Sequence, residues 1–315
     1  MKNLLLNHGR QLGTLVGLLL LGAVLSLLTP HFLTVTNLLN VAQQTAINAV
    51  IAAGMTLVII TAGIDLSVGS ILAFAGVVLG SLLARGQPTW VAVTAGLAVG
   101  AACGLTNGLL IAFVRLPPFI TTLGMMSVAR GVALLYTDGR PISGFGPGFR
   151  VLATGEWLQV PLPVFVMLAV YAAAHFVLKR TKLGRYAYAI GGNEQAARLS
   201  GVHVGFYKTA VYTLSGTLSG LAAVMLTARL NSAQPIAGQM YELDAIAATV
   251  IGGTSLLGGE GTMLGTLIGA LIMGVLRNGL TLLDVSSYVQ QTVIGLVIIG
   301  AVSLDLALKR RTQSA

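Results

Sequence analysis

The sequence predicts an all-α, polytopic membrane protein, and three observations carry that prediction. Charged residues make up 9% of the 315-residue chain and apolar ones 55%, with a mean hydropathy of +0.88; a soluble chain carries about 25% charge. Ten apolar runs reach or approach the ~20 residues that a helix needs to cross a bilayer. Lysine and arginine are unevenly divided among the segments between those runs. So little charge leaves no surface to show to water. A soluble enzyme, a disordered tail and a coiled coil are excluded as descriptions of the whole chain. A lone cysteine, Cys103, gives no disulfide framework.

The first run, residues 12–29, follows Lys2 and Arg10 as a signal peptide would. It is long for that, and it ends Leu28-Thr29-Pro30 without a small-x-small cleavage site, so it reads as the first span. The others are 43–62, 66–84, 91–114, 118–136, 163–178, 209–228, 243–258, 262–280 and 289–306. The eighth is short and is expected to be broken or re-entrant, which a bilayer tolerates only where neighbouring protein shields the backbone. Two connections are long: 137–162, rich in turn formers, and 179–208, which is basic. With the N-terminus in the cytoplasm, Lys2, Arg10, Arg115, Lys179, Arg180, Lys182, Arg185, Arg198, Lys208, Lys309, Arg310 and Arg311 fall inside, and Arg85, Arg140, Arg150 and Arg229 outside. That bias sets the orientation and puts both termini in the cytoplasm. It accounts for the net charge of +9 without a nucleic-acid partner. Asp305 is expected to pair with the basic tail beside it.

Helices in lipid associate through close packing at small residues. Gly96, Gly100, Gly104 and Gly108 line one face of the fourth span; Gly76 and Gly80, and Gly265 and Gly269, form shorter stripes. They are expected to be seams of a compact bundle.

The spans are rich in amides and hydroxyls rather than acid–base pairs. Gln44, Asn48, Asn107, Thr121, Thr122 and Asn278 stand out. A neutral polyol needs such donors and acceptors, whereas an ion wants charge or carbonyl cages. Buried hydroxyls also bond their own helix, so structural and pathway readings both stand. Asp65, within Gly63-Ile64-Asp65-Leu66-Ser67-Val68-Gly69-Ser70, either caps the third span or takes part in gating or sugar contact. Arg130 and Arg277 lie towards the outer ends of their spans and are expected to snorkel. Candidates for translocation or gating are therefore Gln44, Asn48, Asp65, Ser67, Gly69, Asn107, Thr121 and Asn278.

Catalytic signatures are missing. No Gly-x-x-x-x-Gly-Lys-Ser/Thr, His-Glu-x-x-His or Gly-x-Ser-x-Gly occurs, and the four histidines are scattered. Residues Gly252 to Gly261 look like a phosphate cradle but lack the lysine, and read as a hinge or close-packed turn at the inner face. The chain is expected to have no enzymatic activity, cofactor or metal of its own.

The most specific signal lies in the basic inner loop. Asn193 suits a helix cap, Glu194 favours a first turn, Gln195-Ala196-Ala197-Arg198-Leu199 continue it, and Gly201 ends it. Two turns cannot stand alone, so this helix must dock on an acidic partner or lipid headgroups.

Glu194-Gln195-Ala196-Ala197 followed by Gly201 resembles the coupling-helix motif of ATP-binding-cassette importer permeases. Ala62 to Ser70, Ser232-Ala233-Gln234-Pro235, Tyr241 to Ala248, Gly252-Gly253-Thr254-Ser255 and Asn278-Gly279-Leu280 resemble the branch that carries ribose, xylose, galactose and autoinducer. The resemblance covers nearly the whole chain. It implies a single permease domain over residues 1–315, with Asn193, Glu194, Ala196, Ala197 and Gly201 coupling to a separate cytoplasmic ATPase that binds the ATP. It also implies a second copy of the chain, an extracytoplasmic sugar-binding protein and a site in the bacterial inner membrane. The cargo it implies is a neutral monosaccharide, ribose foremost, with another sugar or autoinducer of the branch as the alternative. An ion-coupled secondary transporter is the reading from another class. Glu260 departs from the family, where a basic residue is common at that position.

Overall fold

The structure, a computed structural model, describes the backbone of residues 2–313 and the side chains of residues 12–303. The expected pairing of Asp305 with the tail, and the side chains of Lys2, Arg10, Lys309, Arg310 and Arg311, lie outside the described residues. The elements in order are α1 Lys2–Leu28, α2 Val35–Ile60, α3 Val68–Ala84, α4 Thr89–Ala112, α5 Pro118–Thr137, β1 Ile142–Ser143, α6 Pro147–Thr154, β2 Glu156–Trp157, β3 Val160–Pro161 and α7 Leu162–Arg180. There follow α8 Lys182–Gly192, α9 Glu194–Leu199, α10 Val204–Leu230, β4 Ser232–Ala233, α11 Tyr241–Ile251, α12 Met263–Leu282 and α13 Ser287–Gln313. Among the described residues six helices, α2, α4, α5, α7, α10 and α12, are long and apolar enough to cross a membrane. Shorter apolar helices occupy Leu12–Leu28, Val68–Ala84 and Ser287–Ser303.

The core helix is α2. Every residue from Ala49 to Ile60 is buried, and α7, α10, α11 and α12 pack around it. A helix apolar on all sides belongs at the centre of a bundle. It begins eight residues before the predicted start at 43. Thr34 caps it, and the buried Asn37, which lies before that predicted start, exchanges two hydrogen bonds with Asn278 of α12 at 3.0 and 2.9 Å. An amide is tolerated inside a bundle when one partner satisfies both of its ends.

The strongest helix pair is α4 with α10. The glycine stripe of α4 is spent within this one chain. A side chain at Gly100 would overlap the Gly216 carbonyl, one at Gly104 the Tyr212 carbonyl, and one at Gly108 would come within 2.6 Å of the Thr209 Cα. The other stripes act alike: Gly80 meets Ala233 and Phe145, and Gly265 and Gly269 meet Gly252 and Ala248.

The predicted eighth span is the element that differs most. Helix α11 stops at Ile251 after 11 residues, about 16 Å at 1.5 Å per residue and half a hydrocarbon core. Before it the chain is not helical. Ala233 pairs with Ile142 in the small β1–β4 ladder and lies against Gly80, while Gly238 lies against Gly69. Gly80 and Gly69 are about 16 Å apart along α3, and residues 234–238 pass between them through a turn closed by the Ala237 N–H on the Gln234 carbonyl at 3.0 Å. Arg130 of α5 meets this segment, donating from one guanidinium nitrogen to the Pro235 and Ala237 carbonyls at 2.7 Å each. The expected snorkelling of Arg130 is thereby corrected. Two unpaired carbonyls in the bundle are a stronger pull than the nearer interface.

The loop 179–208 is shorter than predicted because α8 fills its first half, with Thr181 as cap, and α10 starts at Val204.

Adding one methyl group at Gly104 tests the α4–α10 seam. Gly104→Ala is expected to cost about 1–3 kcal/mol through overpacking and to lower the thermal midpoint in detergent by several degrees. Gly124→Ala on α5, where a new Cβ meets nothing within 4 Å, is expected to leave it unchanged.

Candidate functional site

The residues singled out from the sequence fall into three places in the fold. The first is the basic end, where Arg115, Arg198 and Lys208 gather. Helix α9 stands there on its cap: the Asn193 side chain accepts from the Ala196 N–H at 2.9 Å, and Gly201 closes the helix at φ 81°. Glu194 accepts from Arg198 at 2.9 Å and from Lys208 of α10 at 2.6 Å. Ala197 is buried with Ile190 and Val204, while Leu199 is 90% exposed. Grooves flank the helix. One of about 770 Å³ runs between α9 and the α4–α5 turn, lined by Leu116, Pro117, Gln195 and Lys208; the other, about 420 Å³, is lined by Tyr186, Asn193, Ser200 and Val202. Ala196 lines the second groove.

Helix α8 ties this end to the core. Gly191 lies against the Ile60 carbonyl at the end of α2, and the Gly259 N–H donates to that same carbonyl at 2.9 Å. The Tyr188 hydroxyl donates to the Gly261 carbonyl at 2.7 Å; burial pushes this phenol up to about 12, so it stays a donor. The glycine-rich segment is thus a close-packed turn at the basic end, joining α8, α2, α11 and α12. Its φ values of 88° at Gly253, 86° at Gly258 and 73° at Gly259 need glycine.

The second place is the break between α2 and α3. Asp65 is fully buried and its oxygens are all engaged. One accepts the Ser67 N–H at 3.0 Å and the Ser67 hydroxyl at 2.5 Å; the other accepts the Ser215 hydroxyl of α10 at 3.1 Å. Asn107 of α4 donates to Ser67 at 2.9 Å, and the one proton of the Thr122 hydroxyl of α5 is shared between the Ile64 carbonyl at 3.2 Å and the Pro118 carbonyl of its own helix at 3.0 Å. Thr121, next to it, bonds back to Pro117 within its own helix. Gly69 touches Gly238 with no room for a side chain. The break is therefore pinned by α4, α5 and α10 at once.

The third place is a polar cluster between α2, α11 and α12. Asp244 of α11 is 4% exposed, and both of its carboxylate oxygens accept from one nitrogen of Arg277, at 2.7 and 3.0 Å. Asn48, at the middle of α2, donates to the same carboxylate at 3.2 Å. Gln44 and Thr45 line the small cavity beside them. The expected snorkelling of Arg277 is corrected here too: a buried carboxylate holds the guanidinium at the level of Asn48. Asn278, one residue on, is engaged with Asn37 instead. Asp244 and Asn37 escaped the sequence reading. Their signal was an ionisable or amide group in an apolar stretch, but their partners lie 33 and 241 residues away.

Residues 37–302 match the family described as branched-chain amino acid transport system / permease component. The chain is 53% identical to the ribose import permease protein of Escherichia coli K12, over 93% of this chain and 92% of that one. It is 50% identical to the ribose import permease protein of Bacillus subtilis, over 94% and 92%. It is 41% identical to the D-allose transport system permease protein of Escherichia coli K12, over 93% and 90%. No solved structure matches it.

Helix α9 carries a pH dependence of its own. Burial pushes the Glu194 carboxyl up, but the hydrogen bond and charge of Lys208, and then of Arg198, outweigh it and hold the group below its ordinary value. Stability from these contacts is present above the ordinary carboxylate pKa of about 4.3 and is lost as pH falls through the lower folded value. Hydrogen exchange is expected to find α9 protection, relative to α10, constant at and above pH ~5 and declining below it. Glu194→Gln should abolish that decline.

Proposed function

The chain belongs to the family of branched-chain amino acid transport system / permease components, and from that premise we propose that it is the membrane subunit of an ATP-driven ribose importer. It is an integral protein of the bacterial inner membrane and a transport subunit rather than an enzyme. The observation that carries ribose is the near-full-length identity of 53% to a ribose import permease, against 41% to the D-allose protein. Another sugar of the same kind is the second reading, favoured by that D-allose relative. An ATPase subunit and a substrate-binding protein are the partners that such a permease implies.

In this reading the basic end faces the cytoplasm, as the distribution of Lys and Arg supports. Both termini then lie there. Helix α9 is the handle gripped by the ATPase, with Leu199 as its exposed tip and Asn193, Glu194, Ala196, Ala197 and Gly201 fixing its shape. Closure of the ATPase displaces α9; α8 and the turn at Gly258 and Gly259 carry the displacement to α2, α11 and α12. Asp65, Ser67, Gly69 and Asn107 hold the α2–α3 break, so that α3, α4, α5 and α10 move as one body against the others. Two such chains form the gate, supported by the exposed apolar faces of α4 and α5 at Leu105, Leu109, Phe119, Ile120 and Leu123. The binding protein delivers sugar at the opposite end, against 137–162 and 229–242. The chain supplies no covalent chemistry and needs no cofactor, since the ATP is bound by its partner.

Reconstitution tests the reading. With the ATPase and a pentose-binding protein in proteoliposomes, ATP-dependent uptake of labelled ribose is expected, competed by unlabelled ribose more than by hexoses. Glu194→Lys, or deletion of residues 194–199, is expected to reduce uptake to background while the protein remains in the membrane. Normal uptake by either variant would remove the coupling role from α9.

A further inference from the structure

The α2–α11–α12 cluster has properties that a purely structural ion pair does not need. Arg277 is 41% exposed on its side chain, while the carboxylate that it holds is nearly sealed. A guanidinium open on one side at the depth of Asn48 is expensive against lipid, so that face borders water or another polar surface. Two further polar atoms beside the pair have no partner: the Thr45 hydroxyl, on a residue only 3% exposed, and the Asn48 side-chain oxygen. Buried polar atoms are rarely left unpaired. Gly274 of α12 provides the space in which the Thr45 hydroxyl sits, since a Cβ there would overlap it. Gln44 completes the wall from the exposed side of α2.

The chemistry of this wall is specific. It combines one carboxylate with one guanidinium, so its formal charge sums to zero and it has no reason to hold an ion. The carboxylate accepts, the guanidinium donates, and Asn48 and Gln44 do both. Adjacent hydroxyls of a sugar ring make the same demand, each donating one hydrogen bond and accepting others. Hydrogen bonds to charged groups are the stronger ones, which suits a carboxylate and guanidinium gripping neighbouring hydroxyls. The cavity measures about 30 Å³ as it stands, space for a water molecule or two rather than the ~300 Å³ or more of a typical ligand pocket. With Asp244 and Arg277 bonded to each other, the wall is folded onto itself.

We propose that Gln44, Thr45, Asn48, Asp244 and Arg277 form a hydroxyl-binding subsite of the translocation path, which opens as α11 parts from α2 and takes a vicinal diol of a neutral sugar between the carboxylate and the guanidinium. It rests on the reading of the chain as a sugar permease and adds where within the chain the sugar is felt. The Asp244–Arg277 bond is the empty state of the subsite, and the sugar hydroxyls replace it in the loaded state. The permease then adds its own selectivity to that of the binding protein.

The test uses the complete transporter in proteoliposomes, with Gln44→Ala, Asn48→Ala and Asp244→Asn in this chain. The binding protein is loaded in advance with D-ribose, with each monodeoxyribose, or with D-arabinose, D-xylose or D-lyxose, so its own preference is set aside. Import by the unaltered complex is expected to slow when one particular hydroxyl is missing or inverted. In Asn48→Ala that penalty is expected to shrink by about threefold or more, the scale of one hydrogen bond, while penalties for the other hydroxyls stay. Equal slowing of every sugar, or an unchanged profile with normal membrane levels, would make the cluster a structural ion pair and overturn the proposal. Gln44→Ala and Asn48→Ala leave the ion pair in place, so they decide the matter if Asp244→Asn does not insert. Failure of the unaltered complex to import any pentose would instead sink the ribose reading.

Discussion

A backbone amide or carbonyl taken into hydrocarbon must find its partner inside the protein, because no water is there to supply one. Regular helices meet that demand by themselves. This chain leaves helical geometry among packed helices at 61–67 and at 234–240, and side chains within the breaks and on neighbouring helices meet the freed backbone groups. Asp65 takes the Ser67 N–H, Thr122 takes the Ile64 carbonyl, and Arg130 takes two carbonyls of the descending segment. The same demand at the basic end is met by the Gly259 N–H on the last carbonyl of α2. Asp65, Thr122 and Arg130 stand where the chain leaves helical geometry.

Glycine sets the distances at which these exchanges take place. At the α4–α10 seam the backbones touch, which brings Asn107 of α4 and Ser215 of α10 to the α2–α3 break from two sides. A wider seam would leave Asp65 as a buried charge with fewer donors, a far costlier state than the packed one. Helix packing and polar satisfaction are thus one problem here.

Much of this was legible in the sequence because hydropathy and helix caps act over short distances. The apolar runs located the long helices, and Asn193, Glu194 and Gly201 gave α9 its two ends. The misreadings share a cause. Asn37 fell between the first two apolar runs and went unremarked, because its partner Asn278 is remote in sequence. Arg130 and Arg277 looked like snorkelling cations because neither the descending carbonyls nor Asp244 can be placed beside them without the fold. The short eighth run announced a broken helix, but not that the chain before it would run in turns beside α3. Helix α8 went unseen because, with 11 residues and three glycines, its sequence is weakly helical; contact with α2 and the glycine-rich turn holds it in place.

An arginine and an aspartate that move as a unit transfer no net charge through the electric field of the membrane. A lone charge would gain or lose about 2.3 kcal/mol per 100 mV over the full thickness. A paired Asp244 and Arg277 therefore add no net charge of their own to the movement, and the resting potential of the cell neither assists nor opposes the displacement of the pair.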